Sequence, residues 1–193
     1  MLLGRTDAGM ITLGNAALLS RCLAFFCSTK CPGRAILKAY EFTGLVQHSG
    51  RVIVSGFHSP VEKDCLEILL RGAGLVVLCP ARRLNASRLP NEWQDAIKSG
   101  RMLMLSPFDE KQKRATAGLA AARNQFVASI ADEVLIAYAH PGSKTEALCR
   151  KVLASGKRVY TFNDLANQHL VAMGAIPIEP DHFSGASNAA AGD

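Results

Sequence analysis

The chain has 193 residues, of which 49% are hydrophobic, 20% charged and 6% aromatic, and its 22 Lys+Arg against 16 Asp+Glu leave a net charge of +6. This balance excludes collagen-like, mucin-like and disordered polymers and describes a chain long enough to bury a sizeable core as one domain. Apolar runs such as 75–79 and 134–139 reach only five or six residues, far short of the roughly 20 that span a bilayer, so no membrane partner is expected.

Residues 1–14 carry Arg5 and Asp7 and lack a continuous apolar stretch with a small-residue cleavage site, so no secretory leader is expected and the expected location is the cytoplasm. From there, short β-prone runs alternate with segments of helical period. A strand over 22–27 precedes a helix over 33–49, one over 51–54 a helix over 61–71, and one over 75–79 a helix over 91–99. Strands over 102–106, 133–137 and 158–161 precede helices over 116–129, 144–155 and 167–173, and a last strand covers 175–178. The strands are apolar throughout and do not alternate, as strands covered on both faces do. The predicted fold is therefore α/β: one Rossmann-like domain over 1–184, an open, mostly parallel sheet of six to seven strands with helices on both faces. The small, Ala-rich tail over 185–193 is expected to be disordered.

Gly50, Gly72, Gly100, Gly156 and Gly174 close predicted helices and are expected to take left-handed caps. Cys65, Ile68 and Leu69, and likewise Leu119, Ala122, Phe126 and Ile130, recur at three- and four-residue spacing and are predicted to pack on the sheet. The six cysteines lie mostly in apolar runs and read as reduced core thiols. Cys27 and Cys31 form a C-x3-C pair that no second pair or nearby His completes into a zinc set, so no metal is expected.

In an open parallel sheet, ligands bind beyond the carboxyl ends of the strands. The loop Cys27-Ser28-Thr29-Lys30-Cys31-Pro32-Gly33 offers hydroxyls, a lysine and helix-start amides, which suit a phosphate or simply a capped turn. In Ser55-Gly56-Phe57-His58-Ser59-Pro60-Val61-Glu62, Ser59, Pro60 and Glu62 make a helix start. Gly56 would let a ligand approach the backbone, and His58 could donate to a phosphate or face solvent. The segment His140-Pro141-Gly142-Ser143-Lys144-Thr145-Glu146 is a second candidate phosphate cradle, with Ser143 as N-cap and Glu146 closing a capping box. Arg82, Arg83 and Arg88 form the densest basic cluster, and Lys111, Lys113 and Arg114 form another. Arg123-Asn124 interrupts an apolar helix, where an arginine needs an anionic partner or a water path, and a ligand-facing role is expected for it over a simple surface position. Neither H-E-x-x-H, G-x-S-x-G nor a Ser-His-Asp order occurs, so no catalytic residue and no cofactor is expected.

Val52-Ile53-Val54-Ser55-Gly56, the stretch Ala122-Arg123-Asn124-Gln125-Phe126-Val127-Ala128-Ser129-Ile130-Ala131-Asp132 and Gly142-Ser143-Lys144-Thr145 occur in an order that resembles the Rossmann-like domain of the DNA-processing protein A family (DprA, also called Smf). The resemblance runs from about residue 23 to 164. It implies binding of single-stranded DNA and its delivery to a RecA-type recombinase during DNA uptake and recombination, usually as a homodimer. Where that family carries Ser-Gly-x-Ala-x-Gly-Ile-Asp, the motif's second glycine and its aspartate are absent here. Pro141-Gly142-Ser143-Lys144-Thr145 is also similar to LOG-type nucleotide phosphoribohydrolases, which share the superfamily with molybdenum-cofactor carriers, and Arg123 matches a LOG arginine. The LOG glutamate falls at Leu148. The sequence is thus expected to hold a phosphate backbone with Ser28, Lys30, Gly33, Ser55, Gly56, His58, Arg82, Arg83, Arg123, Asn124, Gly142, Ser143, Lys144 and Thr145. The alternative is a small nucleotide-derived ligand, bound or hydrolysed.

Overall fold

The computed structural model describes residues 3–6, 9–87, 89–109 and 111–185. Arg88 and residues 186–193, nearly all of the expected tail, lie outside the described residues. Two short strands, β1 (Gly4–Arg5) and β2 (Ile11–Gly14), come first. The β-α alternation follows: β3 (Cys22–Cys27), α1 (Gly33–Val46), β4 (Val52–Ser55), α2 (Pro60–Arg71), β5 (Leu75–Leu78), α3 (Asn91–Lys98) and β6 (Met102–Ser106). The second half is α4 (Ala117–Ile130), β7 (Glu133–Tyr138), α5 (Lys144–Ala154), β8 (Val159–Phe162), α6 (Gln168–Ala172) and β9 (Ile176–Ile178). No helix among the described residues is long and apolar enough to cross a membrane.

The sheet order is β1-β2-β6-β5-β4-β3-β7-β8-β9. The seven strands β3 to β9 pair in parallel, as expected. β1 and β2 were not expected: they extend the sheet antiparallel on the free edge of β6. They are short, and β2 needs no crossover helix, so the β-α rhythm does not announce them. The order reverses at β3, which has β4 on one side and β7 on the other, and this makes a topological switch point at their carboxyl ends.

Alternate side chains of each strand enter opposite layers. Leu23, Phe25 and Cys27 join the core under α1, α2 and α3 with Phe42, Leu69 and Ile97. Cys22, Ala24 and Phe26 join the core under α4, α5 and α6 with Val127, Cys149 and Leu170. All six cysteines are free. Burial pushes the Cys65 and Cys79 thiols up to about 12, which keeps them protonated at neutral pH.

Two expectations need correction. Gly50, Gly100, Gly156 and Gly174 have positive φ, but Gly72 has φ −95°. A Cβ there would meet the end of the Gln47 side chain, which would have to swing aside. On α4 the buried residues are Arg123, Val127 and Ala128, whereas Ala122 is exposed and Leu119, Phe126 and Ile130 are half-buried. Phe126 and Ile130 pack on the core as expected, but the position expected for Ala122 is taken by Arg123, which is buried beside Val127 and Ala128.

Glu133, at the amino end of β7, fixes the edge opposite the switch point. It accepts hydrogen bonds from Arg51 Nη1 at 2.6 Å and Tyr160 Oη at 2.9 Å, and Arg158 Nη2 lies 3.2 Å away. Burial pushes its carboxyl up, but these bonds and the two arginine charges outweigh burial and hold it below the ordinary range. A carboxyl with a depressed folded pKa adds stability above its unfolded pKa, and that stability is lost as pH falls through the folded value. Wild-type stability is therefore expected to fall on acidification through the carboxylate range, with a shallower slope in Glu133→Gln, as urea midpoints at several pH values would record.

Candidate nucleic-acid interface

At the switch point, Ser28 ties the loops after β3 and β7 together. Its N–H donates to Tyr138 O at 2.9 Å, its Oγ accepts from His140 N at 3.0 Å, and Ser143 Oγ lies 3.3 Å away. With 5% exposure, Ser28 is a pin between loops. Lys30, Gly33, His140 and Lys144 are exposed around it, and Thr145 is half-buried in the first turn of α5.

The two helix starts here differ. Pro32 caps α1 without any side-chain bond, so its first amides keep their donors. On α5, Ser143 Oγ accepts from Glu146 N at 3.2 Å. The Glu146 carboxylate accepts from Gly142 N at 2.7 Å, so the reciprocal bond falls one residue before the N-cap. Since a carboxylate already occupies the α5 start, α1 is the better anion cradle.

The second half of the site lies beyond β4, β5 and β6. Ser55 is fully buried and accepts from Phe57 N at 3.1 Å. Phe57 is itself 4% exposed with φ +45°, so its ring belongs to the core. A Cβ on Gly56 would fall on the Arg123 guanidinium. The bare backbone at Gly56 thus admits Arg123 rather than a ligand. Arg123 Nη1 donates to Cys79 O at 2.8 Å and Nε to Asn124 Oδ1 at 2.7 Å, so Asn124 positions the arginine. Beneath them Glu62 accepts from Cys27 N at 2.9 Å, His58 N at 2.7 Å and Ser59 N at 3.2 Å. Burial pushes the Glu62 carboxyl up, against the pull of the three amides and the Arg123 charge. Burial likewise pushes Arg123 below its ordinary value, and the charge of Glu62 opposes this.

Over this buried pair opens a cleft of about 960 Å³, bordered by His58, Lys63, Arg82, Arg83, Trp93 and Arg114. The sequence did not single out Lys63 or Trp93, and it offered Arg114 only as part of a basic cluster with Lys111 and Lys113. Their positions, at the starts of α2 and α3 and before α4, were the available signal. Lys30, Lys63, Arg82, Arg114 and Lys144 make no ion pair among the described residues. At the amino edge the cations are engaged: Arg51 and Arg158 with Glu133, Arg101 with Gly72 O at 3.0 Å, and Lys157 with Ala128 O at 2.6 Å. Arg34, 3.1 Å from Asp164, and Lys38, 2.7 Å from Glu179, are paired exceptions at the carboxyl edge.

This topology is that of known structures. The chain has the fold of DNA processing protein A. It superposes on DprA from Streptococcus pneumoniae with TM-score 0.74 and 20% identity, over 90% of this chain and 64% of that one. The match to DprA from Helicobacter pylori, described for its single-stranded DNA binding mode, has TM-score 0.74 and 18% identity over 95% and 92% of the two chains. The molybdenum cofactor binding protein of Rippkaea orientalis is more distant in shape, at TM-score 0.58 and 18% identity over 83% of this chain and 91% of that one. No family model matches the sequence, and no curated protein does. In this chain the fold brings the Ser-Gly and Arg-Asn motifs together: Ser55-Gly56 ends β4 where Arg123 arrives, and Asn124 holds it.

Proposed function

We propose that this protein binds single-stranded DNA, with the sugar-phosphate backbone running along the carboxyl edge of the sheet. The observation that carries the reading is the gathering of cations at the carboxyl edge: Lys30, Lys63, Arg82, Arg114 and Lys144 make no ion pair among the described residues, whereas at the amino edge Arg51 and Arg158 are ion-paired with Glu133 and Arg101 and Lys157 are tied down by backbone carbonyls. The loops bearing Lys144, Lys30, Gly56 and Arg82 follow β7, β3, β4 and β5, which are neighbours in the sheet. Three inter-strand spacings make that track about 14 Å long, and one phosphate can engage only part of it. The likeness to a DprA described for single-stranded DNA binding supports the same reading. The remaining site residues act through this track: Ser28, Gly142, Ser143 and Thr145 shape the switch-point loops, Gly33 opens the α1 cradle, and His58 and Arg83 border the cleft. We extend the proposal to homodimers that pass the strand to a RecA-type recombinase during DNA uptake. A cytoplasmic location fits that role. The second reading is a small nucleotide-derived ligand, which the cleft favours, since about 960 Å³ is at the upper end for such sites.

Phosphate contacts release counterions, so log affinity is expected to fall by about 0.7 per log unit of salt for each phosphate contacted. Lys144→Ala and Arg82→Ala should each weaken binding to all sequences equally and flatten that slope by about one contact. Lys98→Ala, which removes an exposed pair with Asp95, should change neither. Unchanged slopes in both edge variants, read by anisotropy across a salt series, would refute the backbone track.

A further inference from the structure

We infer that Cys27 and Cys31 form a peroxide-reactive dithiol, in which Cys31 is oxidised first and Cys27 closes it into a disulfide. Cys27 ends β3 and is 4% exposed, whereas Cys31, in the loop before α1, is the one cysteine of the six that is not buried. The Cys27 thiol has two acceptors in reach, Ser28 O at 3.6 Å and the Cys31 sulfur, so the two side chains already meet across the turn. A bridge between them encloses Ser28, Thr29 and Lys30, and Ser28 is the pin between the loops after β3 and β7. The modification therefore falls at the switch point, but it does not depend on what binds there.

The surroundings divide the roles. Cys31 directly precedes Pro32, which caps α1 without a side-chain bond, and the positive end of a helix favours a thiolate. The hydrogen bond from Cys27 holds the Cys31 thiol below its ordinary value, against the effect of burial. Cys27 is pushed up by that same bond, by burial and by the charges of Cys31 and Glu62, whose carboxylate accepts from Cys27 N at 2.9 Å. First attack thus falls to Cys31, and Cys27 resolves. The Cys31 sulfur attacks hydrogen peroxide: the O–O bond breaks, an S–O bond forms, and the departing hydroxide takes back the proton that Cys31 released. The Cys27 sulfur then attacks the sulfenic sulfur: an S–S bond forms, the S–O bond breaks, and hydroxide leaves with the Cys27 proton as a second water. Each sulfur loses one electron, and the two peroxide oxygens gain them.

The test treats reduced protein, freed of buffer thiols, with a small excess of hydrogen peroxide, then alkylates and digests it without reductant for mass spectrometry. The expected product is a single chain lighter by two hydrogens, with one cross-link joining Cys27 to Cys31 that dithiothreitol reverses. Cys31→Ser should slow the loss of free thiols at least about tenfold. In Cys27→Ala, dimedone should trap Cys31 as its sulfenic acid, whereas the wild type should give little adduct because the bridge forms first. A wild type that keeps all its thiols, a bridge from Cys27 to Cys65, a bridge between two chains, or sulfinic acid at Cys31 with Cys27 still free would overturn the pairing. Unchanged oxidation in a Cys31→Ser variant of native circular dichroism would overturn the order of attack. None of these readouts requires DNA, so they stand or fall apart from the functional reading.

Discussion

Replacing Gly56 with alanine is expected to cost about 3 kcal/mol of stability, although the site is a loop and the change is one methyl group. Gly56 has no left-handed φ, so alanine meets no backbone penalty there, and the cost comes from the methyl landing on the Arg123 guanidinium. A flexible arginine would ordinarily swing aside. Arg123 is only 3% exposed and bonded to Cys79 O and Asn124, so moving it strands a buried carbonyl and separates a buried charge from Glu62. A double-mutant cycle isolates the effect: in an Arg123→Met background, Gly56→Ala should cost less than about 1 kcal/mol, which implies a coupling of about 2 kcal/mol or more. Additive costs in urea unfolding would mean that Gly56 matters for some other reason.

Arg123→Met should cost about 3 kcal/mol near neutral pH, because it strands the buried Cys79 carbonyl and removes the positive charge that favours the ionised form of Glu62. The cost carries a pH signature. Burial raises the folded pKa of Glu62 above its unfolded value, so the native state takes up a proton first. The associated stability is full below the unfolded pKa and is lost as pH rises through the folded one. Without Arg123 the folded pKa moves higher still, and the window moves up with it. The deficit of Arg123→Met is therefore expected to be smallest in mild acid and to grow toward neutral pH. Adding Glu62→Gln should abolish that dependence. A deficit constant with pH would show that Arg123 contributes packing alone.

The layering was legible because two independent signals agree along the chain. Central strands such as Val134 to Tyr138 have apolar side chains for both faces, and Ser59 and Ser143 accept from the amide three residues on, as their positions before helical segments implied. The edge strands β1 and β2 were not legible, since the pairing of β2 with β6 is long-range, β1 pairs only with β2, and their sequences carry little alternation. The site was legible at the level of loops but not of roles. Ser28 and Ser55 read as free hydroxyls, yet each is engaged by backbone amides, and Gly56 read as room for a ligand where Arg123 lies. Those roles depend on which distant segment arrives at the position, and local sequence holds no record of that. Trp93 was missed for the same reason: α3 reaches the cleft only because β5 and β6 are neighbours in the sheet.

The central claim is a track of several phosphates at the carboxyl edge, and its most direct test is affinity against length. Oligothymidylates of increasing length should be titrated beside thymidine monophosphate at two salt concentrations. The account predicts that affinity climbs with length until the 14 Å track is filled, that the monophosphate binds far more weakly, and that the advantage of the longer strands shrinks in high salt. Affinity independent of length, with the monophosphate binding as tightly as the longest strand at both salt concentrations, would contradict it and leave a small-ligand site in its place.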